Sequence, residues 1–147
     1  PLQPLAGVIG APAGIPGATA SGAVQAGAHF KRIKTLADFE AALAEANASG
    51  KTVMLDFYAD WCVSCKEMEK YTFPAPSVQA ALANSVLLQA DVTANNADDR
   101  ALLKRFSLFG PPGTIFFDGN GNEIRKARLI GYQNSRGFVE TLGKAGL

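Results

Sequence analysis

From position 29 onward, apolar and polar residues fall into short regular blocks. Phe30 to Ile33 reads as a short first strand. Thr35 follows as a helix N-cap, with Asp38 three residues on in the manner of a capping box. Leu36, Phe39, Ala42 and Leu43 then recur at helical spacing, and the helix ends near Gly50. The apolar run TVMLDFY, Thr52 to Tyr58, predicts a buried strand. A helix is expected to begin at the cysteines and run through KEMEKYTF, until Pro74 and Pro76 interrupt it. Ser77 is placed to cap a further piece, VQAALAN. Val86 to Val92 predicts another strand, and Asn95 or Asn96 caps a helix over DDRALLKRF. After GPPG come the strand TIFFD, a tight turn at GNGN and a strand over EIRKARLIG. Asn134 or Ser135 starts a last helix, SRGFVETLGKA.

The resulting order is β-α-β-α-β-α-β-β-α. Alternating strands and helices imply parallel crossovers, and the late hairpin adds an antiparallel strand. The fold class is therefore α/β, a central mixed β-sheet with helices on both faces. Residues 1–28 follow no such pattern. They are mostly Ala, Gly and Pro, carry no charged residue, and are broken by Pro1, Pro4, Pro12 and Pro16. We read 1–28 as a flexible linker or tail, and 29–147 as the folded domain. The tail's apolar content also suits the end of a membrane-proximal segment.

Composition narrows the function. The 147 residues suit one domain, and 48% hydrophobic content suffices for a core. A net charge of +1, with Lys and Arg scattered, gives no reason to expect nucleic acid or an anionic membrane as main partner. No apolar run approaches the roughly 18 residues that span a bilayer. The chain starts without Met and without a signal-peptide pattern, which suggests a processed chain or a piece of a longer one. There are two cysteines, three positions apart. A disulfide framework would use more of them, farther apart. A structural zinc site wants four ligands, and distant His29 does not complete one. His29 is read as an incidental residue at the domain edge.

The remaining chemistry lies in Tyr58-Ala59-Asp60-Trp61-Cys62-Val63-Ser64-Cys65-Lys66. Two intervening residues make about one helical turn, which brings the sulfurs within bonding reach. Cys62 falls at the helix start, where free N–H groups and the dipole stabilise a thiolate. It is the expected exposed nucleophile. Cys65, one turn in and more buried, is the expected resolving thiol. Half a zinc knuckle has the same spacing, but the preceding strand and the β-α-β context favour redox chemistry. Asp56, six residues earlier, alternates with Leu55 and Phe57 in an apolar strand, where a carboxylate is costly unless used. Otherwise it is an acid at an exposed strand end. Glu69 stands four residues after Cys65, on the same face of a regular helix. Together with Asp56 it would oppose thiolate formation. Alternatively it is a solvated carboxylate pairing with Lys66 or Lys70. Trp61 and Phe109 are candidate partner-binding aromatics. Phe57, Phe116 and Phe117 read as core, and Tyr71 suits either role.

VMLDFYADWCVSCK resembles the active-site strand and turn of the thioredoxin superfamily. With KEMEKYTF, LLQADVTANN and FFDGNGNE, residues from about His29 to the end resemble the C-terminal periplasmic domains of the DsbD family of transmembrane thiol:disulfide interchange proteins. Residues 1–28 would lie outside that likeness, at the junction to a membrane-embedded part. The resemblance implies a thioredoxin fold and a protein-disulfide reductase. It would relay electrons from a membrane-embedded domain to a partner disulfide in the periplasm, as part of an inner-membrane protein. It implies no cofactor beyond the Cys62–Cys65 pair. The implied partners are protein disulfides and dithiols, its own membrane-embedded and N-terminal periplasmic domains among them; the isolated domain is expected to be a monomer. It implies a buried acid at Asp56 that assists proton transfer at the resolving thiol, and an acid near the site at Glu69. It also implies a cis-proline before strand TIFF that presents backbone to a partner. Pro112 matches best, although Pro111 precedes it and Gly113 separates it from Thr114. The alternatives are a free-standing thioredoxin-like or cytochrome c maturation reductase, or a metal-binding or chaperone-like module on the same fold.

Overall fold

A computed structural model describes residues 29–147; the expected linker over 1–28 lies outside the described residues. Five strands, β1 (Lys31–Ile33), β2 (Val53–Tyr58), β3 (Val86–Asp91), β4 (Gly113–Phe117) and β5 (Leu129–Ile130), form one sheet in the order β1-β3-β2-β4-β5. β1, β3 and β2 run parallel, while β4 and β5 are antiparallel additions. The helices are α1 (Leu36–Ala48), α2 (Val63–Glu67), α3 (Pro76–Leu82), α4 (Ala97–Arg105) and α5 (Ser135–Lys144). This is the expected mixed sheet. Every residue of β2 is buried, because it is central and covered on both faces.

Strand alternation sorts the core into two layers. Val53, Leu55 and Phe57 pack with Phe39 of α1, with Leu102 of α4 and with Phe106, which caps α4. Met54 faces the other way, with Met68, Phe73, Phe116 and Phe138. Edge-to-face rings knit each layer, Phe39 with Phe106 at 5.1 Å and Phe73 with Phe138 at 5.6 Å. The caps are local and strong. Thr35 with Asp38, and Asn96 with Asp99, each form a reciprocal capping box, and Asn134 caps α5.

Three elements differ from expectation. Ser77 does not cap α3: Ala75 holds the cap position and Pro76 the first helical position, where its missing N–H costs nothing. The helix after the cysteines stops being α at Glu67, and Met68–Thr72 is π-helical. The wider turn places Met68, Thr72 and Phe73 all on the buried side, and the Thr72 hydroxyl donates to the Gln133 carbonyl. The last strand shrinks to Leu129–Ile130, after an isolated bridge from Phe117 to Glu123 and a 3₁₀ turn over Arg125–Ala127. Arg128 forks back onto both oxygens of Glu123, at 2.9 and 2.6 Å, and donates to the Phe106 carbonyl. That pairing folds the charged segment away from an extended ladder.

Candidate active site

Chain reversal out of β2 brings the cysteines to its carboxyl end. Val92 N–H donates to the Tyr58 carbonyl at 2.7 Å, and Cys62 N–H to the Ala59 carbonyl at 3.1 Å. Cys62 is the N-cap of α2: its sulfur accepts the Cys65 N–H at 3.2 Å. Cys62 and Cys65 are joined as a disulfide, with their Cα atoms 5.3 Å apart. Cys65 Sγ lies 3.7 Å from the Phe57 carbonyl oxygen, an acceptor for its thiol once the bond is reduced.

Cys62 is less open than the sequence suggests. Only 6% of its surface is accessible, against 3% for Cys65. Its sulfur is turned inward onto the Cys65 N–H and bonded to Cys65, within the apolar cluster that holds Phe57 and Leu108. The exposure falls on its chain neighbours instead, 59% for Trp61 and 72% for Val63. A reaction at Cys62 is thus confined to a narrow opening beside two protruding apolar side chains.

Asp56 is buried, not at an exposed strand end. Parallel pairing sets it opposite Gln89, whose side-chain amide donates to Asp56 Oδ2 at 2.9 Å. Burial pushes its carboxyl from 3.8 up to about 7; the Gln89 bond pulls the other way, and the negative charge of Glu69 adds to the rise. Asp56 therefore changes protonation near neutral pH. Glu69 itself is exposed and sits inside the π segment, so the regular four-residue helical register to Cys65 does not hold there. Among the described residues neither expected lysine makes a close ion pair with it, although, beyond the Tyr58 hydrogen bond, the charge of Glu69 adds to the rise of the Lys66 ammonium. Lys66 donates to the Tyr58 hydroxyl at 3.0 Å, and Lys70 lies over the Tyr71 ring.

On the far side of the site, the peptide between Pro111 and Pro112 is cis. Gly113, next in the chain, pairs with Phe57 on one side and Ile130 on the other. That register sets the proline loop beside the end of β2 from which the cysteine turn departs. Phe109, in the same loop, is fully exposed, as Tyr71 largely is; His29 is exposed at the domain edge.

Sequence reasoning missed the residues that brace the turn. Thr93 Oγ1 accepts the Asp60 N–H at 2.8 Å, and the Thr93 carbonyl accepts the Trp61 indole N–H at 3.1 Å. Arg32 pairs with Asp91 at 2.8 Å. The Tyr58 hydroxyl donates to Asp60 at 3.0 Å. Gln89 and Thr93 lie about 30 residues from their partners, and only the strand register reveals them. Among the described residues, no group of three or more His, Cys, Asp or Glu could hold a metal ion.

A disulfide spanning the first turn of a helix, at the end of a central strand and flanked by a cis-proline loop, defines a thioredoxin-like dithiol–disulfide domain. The family profile described as Thioredoxin-like matches residues 34–119. The thiol:disulfide interchange protein DsbD of Ralstonia nicotianae is 57% identical over 145 residues, 99% of this chain and 23% of that protein. That alignment reaches into residues 1–28, past the His29 limit expected for the likeness. DsbD of Escherichia coli K12 is 53% identical over 122 residues, 83% of this chain and 21% of that protein. The chain thus spans about a fifth of the length of the curated relatives it matches. The oxidised C-terminal domain of Neisseria meningitidis DsbD superposes with a TM-score of 0.68 at 38% identity, covering 78% of this chain and 99% of that one. The chain belongs to the thioredoxin-like family, among the C-terminal domains of DsbD. Among the described residues, no helix is long and apolar enough to cross a membrane.

Proposed function

We propose that this domain is a protein-disulfide reductase that relays electrons from a membrane-embedded dithiol to a disulfide of a periplasmic partner domain. The observation that carries the reading is the Cys62–Cys65 disulfide with its Cys65 N–H aimed at Cys62 Sγ. In the reduced domain, that N–H stabilises a Cys62 thiolate. The thiolate attacks one sulfur of a partner disulfide, forms a mixed disulfide and expels the other sulfur as a thiolate. Cys65 loses its proton and attacks Cys62 Sγ. The Cys62–Cys65 bond closes, and the partner leaves as a dithiol after taking up two protons. Two electrons have moved to the partner, and the dithiol itself is the carrier.

Asp56 is the proposed proton acceptor for Cys65. It lies one residue before Phe57, whose carbonyl neighbours the Cys65 sulfur, and it titrates near 7. Glu69 supports it by charge, and both acids oppose thiolate formation until a partner docks. Trp61, Phe109 and Pro112 form the proposed docking rim. The proposed partners are the membrane-embedded and N-terminal periplasmic domains of a longer protein, and the proposed location is the periplasm; the likeness to thiol:disulfide interchange proteins, of which this chain spans about a fifth, supports this reading.

Equilibration with glutathione tests the direction of flow. A potential well below that of glutathione-poised oxidants supports a reductase. A value near about −120 mV, that of a strong thiol oxidase, overturns it.

A further inference from the structure

We propose that Thr93 is a positioning residue for partner docking: it holds the Asp60–Trp61 turn so that the exposed indole stands fixed beside Cys62. The inference rests on the exchange reaction proposed above. Thr93 lies just beyond β3, thirty-odd positions from the cysteines, yet it grips both residues that precede Cys62. Its hydroxyl oxygen accepts the Asp60 N–H at 2.8 Å, and its carbonyl accepts the Trp61 Nε1–H at 3.1 Å.

The hydroxyl is itself aimed. It donates to Asp91 Oδ1 through a short hydrogen bond, and Asp91 also accepts the Thr93 N–H at 3.0 Å and an Arg32 N–H at 2.8 Å. Partial burial pushes the Asp91 carboxyl up, but the bonds from Thr93 and Arg32 outweigh it and hold the group below the usual range. Asp91 is therefore a carboxylate with only acceptor capacity, and the Thr93 proton must point toward it. The hydroxyl lone pairs are left free for Asp60. A β-branched side chain adds stiffness to this arrangement.

This bracing does little for the core. Trp61 is 59% exposed, and water competes for an exposed hydrogen bond, so its contribution to stability is small. Its consequence is different. An aromatic side chain that would otherwise sample several rotamers is held in one, next to the sulfur with the narrow opening. Pre-ordering an exposed side chain removes an entropy cost that docking would otherwise meet. A small disulfide that touches only the sulfur gains little from it, whereas a folded protein disulfide resting on Trp61 gains in full.

The test is single-turnover oxidation of the reduced domain by two probes, insulin and oxidised glutathione, read by acid quench and thiol alkylation. Thr93→Val keeps shape and removes the hydroxyl; Thr93→Ser restores it. Thr93→Val loses both hydroxyl bonds, to Asp60 and to Asp91, and the one that holds the turn is the bond from the Asp60 N–H; losing that one, at ordinary strength, corresponds to about a three- to tenfold effect. Thr93→Val is expected to slow the insulin reaction by about that factor and the glutathione reaction by less than about twofold. Thr93→Ser is expected to match wild type on both. Trp61 is the only tryptophan in the chain, so its fluorescence anisotropy reports the indole directly and is expected to fall in Thr93→Val. Thr93→Ala, which also lacks the hydroxyl, serves if Thr93→Val does not fold, and is expected to show the same split between probes. Equal rates for wild type and Thr93→Val on insulin, equal slowing on both probes, or no rescue by Thr93→Ser overturns the inference. A wild-type domain that fails to react with insulin at all overturns the proposed function instead.

Discussion

Replacing Asp56 by asparagine removes a buried group whose ionisation sets itself against folding. In the folded domain, burial holds the Asp56 carboxyl near 7, while the unfolded chain releases that proton near 3.8. Below 3.8 both states are protonated, and the group costs nothing. Between 3.8 and about 7 the unfolded state ionises and the folded state does not, so stability falls as pH rises. Above 7 the loss is complete. At about 1.36 kcal/mol per pH unit, the interval comes to about 4 kcal/mol. The asparagine side chain keeps an acceptor for the Gln89 amide and carries no charge. Urea unfolding of the oxidised domain measures this without interference, because neither cysteine titrates while the disulfide is closed. The advantage of Asp56→Asn over wild type is expected to grow by about 3 kcal/mol between pH 4.5 and pH 8. An advantage that does not change with pH refutes the reasoning, since it would mean that Asp56 ionises alike in both states.

Two further outcomes bear on the same group. In Glu69→Gln, the Asp56 titration midpoint, followed by the carboxyl ¹³C shift, is expected below its wild-type value, because a negative charge that raises it is gone; an unchanged midpoint removes Glu69 from the site. Gln89→Leu is expected to raise the midpoint above about 7 and to destabilise the oxidised domain by ~1–3 kcal/mol at pH 8, with a smaller loss at pH 5. Denaturant titrations at both pH values check it, and a loss equal at both would separate Gln89 from Asp56.

Sequence carried the site's skeleton because that part is local. A strand of nearly unbroken apolar residues, a turn and Cys-x-x-Cys specify the cysteine geometry within one short stretch, and the caps at Thr35 and Asn96 are each written within a single helical turn. Asp56 stood out because a carboxylate in such a strand is too costly to keep without a partner or a task. The resemblance singled out Pro112, and its peptide bond is the cis one. What escaped depends on register. Gln89 is just a polar residue in a strand until β3 is set parallel to β2, and only then does it face Asp56. Thr93 and Arg32 likewise acquire meaning only where β1, β2 and β3 end side by side. The short β5 and the π segment came from tertiary contacts, the Arg128 fork and the burial of Met68, Thr72 and Phe73, that no local pattern announces. The same burial tempered the expectation for Cys62, whose neighbours rather than its own sulfur face solvent.

Most directly at stake is which sulfur strikes first. Reduced Cys65→Ser, mixed with insulin and quenched by alkylation, can be digested and its cross-linked peptide mapped by mass spectrometry. A stable mixed disulfide is expected at residue 62, and none from Cys62→Ser under the same conditions. Trapping of equal yield through Cys65 in the Cys62→Ser domain would contradict it.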